Sequence, residues 1–116
     1  MNEIQHKSLV SGAWGELTLC EQLGNVGSEV GRAVSWHKKG NKEYFEKAFD
    51  RALELLDLTI VDNRWRASVW PGRLKELVRA REFLCSAFFD KENYSATPQD
   101  AEKYFFQFAV AARAGL

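Results

Sequence analysis

Apolar positions recur along this chain with the period of an α-helix in four separate stretches, each bounded by its own start or stop signal. Leu19, Leu23, Val26, Val30, Ala33 and His37 alternate spacings of four and three and form the first stripe. Thr18 with Glu21 makes a capping box ahead of it, and Gly40 is a C-terminal cap behind it. Asn41 caps the second stretch, whose core side is Phe45, Ala48, Phe49, Ala52, Leu55, Leu56 and Thr59. Glu46, Asp50, Glu54 and Asp57 gather on another side of it. The period then breaks from Val61 to Gly72. A third stripe follows as Leu74, Leu77, Val78, Arg81, Leu84, Cys85 and Phe88. Thr97-Pro98-Gln99-Asp100 reads as an N-cap, a proline at the first helical position and an acid in the first turn. Ala101, Tyr104, Phe105, Phe108 and Ala112 then face inward.

These signals predict helices over 18–39, 42–60, 73–89 and 98–113. Two of the connections are short, which predicts an all-α fold, an antiparallel up-and-down four-helix bundle. Residues 1–116 make one domain, with 1–15 as a loose N-terminal arm because no period runs through them.

Gly24, Gly27 and Gly31 interrupt the first helix, and each interior glycine costs about 1 kcal/mol relative to alanine. With Cys20 and Ser35 they line a second face, which predicts close approach of another backbone. That backbone lies either inside the bundle or across an interface between copies. Glu21, Asn25, Glu29 and Arg32 are expected on the remaining polar side.

The 46% hydrophobic and 13% aromatic content suffices for a core without disulfides or metal. Sixteen basic and sixteen acidic residues cancel, which argues against phosphate neutralisation over the whole surface. Cys20 and Cys85 fall among apolar helical neighbours and read as free thiols in a reduced compartment. The first residues, Met1 to Lys7, have no apolar core of a signal peptide, and no apolar run is long enough for a bilayer. A cytoplasmic protein without a membrane partner is the expectation.

Arg81 falls inside an apolar stripe, where a guanidinium needs a carboxylate. Glu54, Asp57, Glu29 and Glu21 are the candidates, with Glu54 and Asp57 favoured because their helix is the most acidic. Two readings stand: a structural ion pair that fixes helix register, or an anion-binding arginine in a cleft. A basic cluster covers residues 64–81, with Arg64, Arg66, Arg73, Lys75, Arg79 and Arg81 against Glu76, and Trp65 and Trp70 interleaved. Arginine beside exposed aromatic rings suits single-stranded nucleic acid, through phosphate pairing and base stacking. Residues 43–62 carry the opposite excess, so the same cluster also reads as internal charge complementarity, with both tryptophans plugging a bundle end. No paired Glu-x-x-His elements, zinc-type cysteine pairs, Walker loop or nucleophile elbow occurs, so no cofactor, metal or catalytic residue is expected. No residue set identifies a small-molecule substrate.

Arg32 and His37 enclose four residues, a spacing that resembles the Arg-x4-His element of the HEPN ribonucleases, which are also helical. That resemblance implies action of the pair on an RNA phosphate and 2′-hydroxyl. The residue after the arginine is usually polar in that family, and here it is Ala33. The alternative is a helix-end histidine capping carbonyls. The stretches Gly27-Ser28-Glu29-Val30-Gly31-Arg32-Ala33 and Arg51-Ala52-Leu53-Glu54-Leu55-Leu56-Asp57-Leu58 resemble a group of short prokaryotic helical proteins without an assigned function. The plan of an Arg-bearing first helix, a Gly/Asn turn and a Leu-rich second helix more distantly resembles the four-helix proteins encoded in 23S rRNA intervening sequences. It also resembles the accessory proteins of diversity-generating retroelements. Those resemblances imply ring-like oligomers and, for the accessory type, nucleic-acid binding.

The sequence thus leads to a non-catalytic interaction protein that forms a homo-oligomer. An RNA- or DNA-binding accessory protein acting through residues 64–81 is the alternative. A HEPN-like ribonuclease or its inactive relative is the third.

Overall fold

A computed structural model describes residues 13–66, 73–89 and 96–115. It is all-helical, with no strand among the described residues. A 3-10 turn over Ala13–Glu16 leads into α1 (Leu19–Lys38), α2 (Lys42–Ile60), the short α3 (Asn63–Arg66), α4 (Arg73–Phe89) and α5 (Pro98–Arg113). None of these helices is long and apolar enough to cross a membrane.

The helix ends follow from local chemistry. Thr18 Oγ1 accepts from the Glu21 N–H at 3.1 Å, while the Thr18 N–H donates to the Glu21 carboxylate at 2.8 Å. Thr97 and Asp100 repeat this box at the start of α5, with Pro98 in the first turn. Asn41 caps α2 by accepting from the Tyr44 N–H. Gly40 takes φ +72° after α1, a left-handed conformation that glycine adopts without steric cost.

α1 packs most extensively against α2 and α5, and α4 rests on α2 and α5. Val26, Val30, Leu55, Leu56, Leu84 and Phe105 are fully buried at the centre. Each apolar side chain of this kind contributes about 1.5–3 kcal/mol when removed from water.

The glycine face of α1 is the seam with α5. A Cβ on Gly24 would lie 3.2 Å from Ala109 Cα, and one on Gly27 3.1 Å from Phe105 Cβ and carbonyl oxygen. A Cβ on Gly31 would meet the Glu102 carboxylate at 3.2 Å. The close approach is therefore within one chain. α5 backbone thus covers Gly24 and Gly27, while only the Glu102 carboxylate reaches Gly31.

Three expectations need correction. Of the loose arm expected over residues 1–15, positions 1–12 lie outside the described residues, while Ala13–Glu16 form a 3-10 turn and Trp14 is buried at 4% exposure. Glu29 is not on a polar side but buried. Its Oε1 accepts from Arg32, and its Oε2 has no hydrogen-bond partner among the described residues. In α4 the buried line is Leu77, Ala80, Leu84 and Ala87, while Val78 is 40% exposed. Leu77 and Leu84 are its most buried members, at 3% and 0% exposure, with Ala80 and Ala87 beside them. Arg81 is turned to the edge of that line instead of lying within it.

Candidate functional site

The side chain at the centre of the α1–α2–α3 end is Gln22, which is fully buried. Its Nε2 donates to the Trp14 carbonyl at 2.9 Å and to Asp62 Oδ2 at 3.0 Å. Its Oε1 accepts from Trp65 Nε1 at 2.8 Å. One carboxamide thus spends both N–H donors and its oxygen on three residues from two other stretches of chain.

Arg64 joins this network from the solvent side. Its Nε and Nη2 donate to Asp62 Oδ1 and Oδ2 at 3.1 and 2.8 Å, a bidentate pair. The Asp62 carboxylate also accepts from the Arg64 backbone N–H at 3.0 Å. The Arg64 side-chain bond, opposed by burial and helped by Gln22, draws the Asp62 pKa down to about 2. The same bond holds the Arg64 guanidinium more firmly protonated.

Trp65 is half-buried, with the Arg64 guanidinium 4.5 Å and the Arg73 guanidinium 5.6 Å from its ring centroid. The 64–81 cluster is thereby partly assembled. Arg64, Trp65 and Arg73 meet, while Lys75 and Arg79 lie exposed on α4. Arg79 approaches Glu76 at 3.6 Å. Arg81 is elsewhere, its Nε on Asp57 Oδ1 of α2 at 2.8 Å. Glu54, the other acid expected near Arg81, lies one turn earlier on α2, half-buried. The Arg66 side chain and Trp70 lie outside the described residues.

Arg73 also lines a cleft of about 230 Å³ between α1, α4 and α5. Leu19, Leu23, Leu77, Ala80 and Phe108 supply its apolar walls, and Arg73, Glu76 and Tyr104 its polar edge. Burial first, and the Glu76 carboxylate second, push the Tyr104 hydroxyl pKa upward. Nothing in the sequence announced this cleft, because its walls come from three helices distant along the chain.

Arg32 and His37 are not brought together as a pair. Five residues of α-helix turn two side chains to different sides. Arg32 Nη1 sits 2.8 Å from Glu29 Oε1, while the His37 ring meets Phe45 and Phe88 edge-on at 5.3 and 5.6 Å. Beside His37, a surface cluster missed in the sequence packs Trp36 on Tyr44 at 4.8 Å. Lys39 and Lys47 lie over those rings at 4.9 and 5.5 Å. The one signal available was an aromatic residue on each side of the Gly40 turn.

Among the described residues, no group of three or more His, Cys, Asp and Glu is placed to hold a metal ion. Cys20 and Cys85 are free thiols. No family model, curated protein or solved structure matches this chain.

Proposed function

We propose that this chain is a non-catalytic helical interaction protein, an antiparallel up-and-down four-helix bundle that self-associates in the cytoplasm. The observation that carries the reading is where its polar chemistry goes. Gln22, Asp62, Arg64, Arg81 and Asp57 tie one segment of chain to another, so the groups best suited to chemistry serve the architecture. The bundle topology is supported by contacts at opposite ends. His37 meets Phe45 beside one turn, while Gln22 meets Asp62 far from it. Gly24 faces Ala109 and Gly31 faces Glu102 along the α1–α5 seam. Self-association is supported by Phe106 and Val110, one turn apart on α5 and 57% and 49% exposed. The free thiols Cys20 and Cys85 suit a reducing compartment.

A second reading, nucleic-acid binding, draws support from a different place than residues 64–81. Trp65 already carries two guanidiniums, whereas Trp36 and Tyr44 lie beneath flexible lysines near the α1–α2 turn. Aromatic faces beside ammonium groups suit single strands. Mass in solution, combined with titration of a single-stranded RNA at two salt concentrations, separates the readings. A multimeric mass and no RNA response favours the interaction protein; a steep salt slope favours nucleic acid.

A further inference from the structure

The cleft at Arg73 is lined by five apolar side chains and by two of opposite charge, Arg73 and Glu76. Arg73 and Glu76 are three residues apart on α4, a spacing that makes their side chains neighbours on one helix face. Glu76 has an exposed partner in Arg79 at 3.6 Å, with the two side chains 67% and 61% accessible. An ion pair so exposed holds its members weakly, so the carboxylate is free to turn toward a cation in the cleft.

We propose that this cleft binds a free zwitterionic α-amino acid with a branched or aromatic apolar side chain. The claim rests on reading the chain as a non-catalytic interaction protein and adds a small ligand to that role. The Arg73 guanidinium presents paired N–H donors to the α-carboxylate. The Glu76 carboxylate accepts from the α-ammonium. The side chain enters between Leu19, Leu23, Leu77, Ala80 and Phe108. An apolar cavity of about 150 Å³ accepts benzene, so the cleft's volume of about 230 Å³ accommodates a leucine or phenylalanine side chain. Lysine and glutamate are disfavoured, because their terminal charges would be buried against those walls without a partner.

The position of Arg73 over Trp65 provides an optical readout, since an anion drawn to the guanidinium alters the field at the indole. The full chain is titrated with L-leucine and L-phenylalanine by calorimetry and tryptophan emission. 3-Phenylpropionate, which lacks the ammonium, and phenethylamine, which lacks the carboxylate, are run in parallel. The expected result is saturable binding of an apolar amino acid, with either analogue and either variant, Arg73→Gln or Glu76→Gln, weaker by about tenfold or more. The emission change should vanish in Trp65→Phe. Both substituted charges are at the surface, and an unchanged far-ultraviolet dichroism spectrum verifies that each variant is folded. The proposal is overturned if neither amino acid saturates by a concentration on the order of 10 mM. It is also overturned if 3-phenylpropionate binds as well as phenylalanine, or if Arg73→Gln changes nothing. A chain that fails these tests yet has a multimeric mass loses the ligand and keeps the interaction role. A monomeric chain that binds the amino acid loses self-association and keeps the ligand.

Discussion

Arg81 on α4 donates through Nε to Asp57 on α2 at 2.8 Å, across 24 residues of sequence. The pair is half in water, with side-chain accessibilities of 40% and 53%. A fully buried pair would cost about 3–5 kcal/mol to break from one side. At this exposure Arg81→Met should cost no more than about 1 kcal/mol. A double-mutant cycle with Asp57→Asn, read by urea unfolding, should report coupling within that figure. Coupling well above it would mean that the pair is more deeply buried in solution.

The glycine seam separates two substitutions that look alike on paper. At Gly27 a new Cβ meets Phe105 backbone as well as its side chain at 3.1–3.2 Å, and backbone does not yield cheaply. Gly27→Leu should therefore destabilise by about 1–3 kcal/mol. At Gly31 the obstacle is the far end of the Glu102 side chain, which can swing away. Gly31→Ala should stabilise by up to about 1 kcal/mol through helix propensity. Thermal melts of the two variants should move in opposite directions.

Gln22 holds Trp14, Asp62 and Trp65 from a fully buried position. Gln22→Leu keeps similar bulk and strands the Trp65 N–H and the Trp14 carbonyl. The expected loss is about 1–3 kcal/mol. Tryptophan emission should shift to longer wavelength as Trp65 loosens. A variant as stable as the parent would contradict this network.

Asp62 ties stability to pH. Its carboxyl is lowered from an ordinary 3.8 to about 2 in the folded chain. A depressed carboxylate adds stability that is fully present above the unfolded value and is lost as pH falls through the folded one. Stability should therefore decline between about pH 4 and pH 2. Asp62→Asn should flatten that part of the profile when unfolding is followed by urea at each pH.

The helices and most of their faces were legible because caps and apolar spacing are local. Thr18, Asn41 and Thr97 act on amides within three residues of themselves, so sequence suffices to place them. The α4 face is only partly legible, because Leu, Val and Cys outweigh Ala in hydrophobicity: Leu77 and Leu84 are buried as expected, and Val78 is not. The fold instead buries Ala80 and Ala87 and leaves Val78 exposed. The cleft and the Gln22 network were illegible because each joins segments tens of residues apart. A glutamine between Glu21 and Leu23 gives no hint of three partners. The Arg81–Asp57 pair lay between these cases: the partner's helix followed from charge, and the exposure did not.

The α1–α5 seam also has a temporal consequence. α1 carries three glycines and so holds little helical structure by itself, while the residues that cover them, Glu102, Phe105 and Ala109, are synthesised more than seventy positions later. Until α5 leaves the ribosome, the nascent chain has an α2 hairpin partner for α1 but an open groove along its other side. Native closure is thus a late, long-range event, and a stall before residue 102 would leave a species with its first helix uncovered, a natural substrate for chaperones.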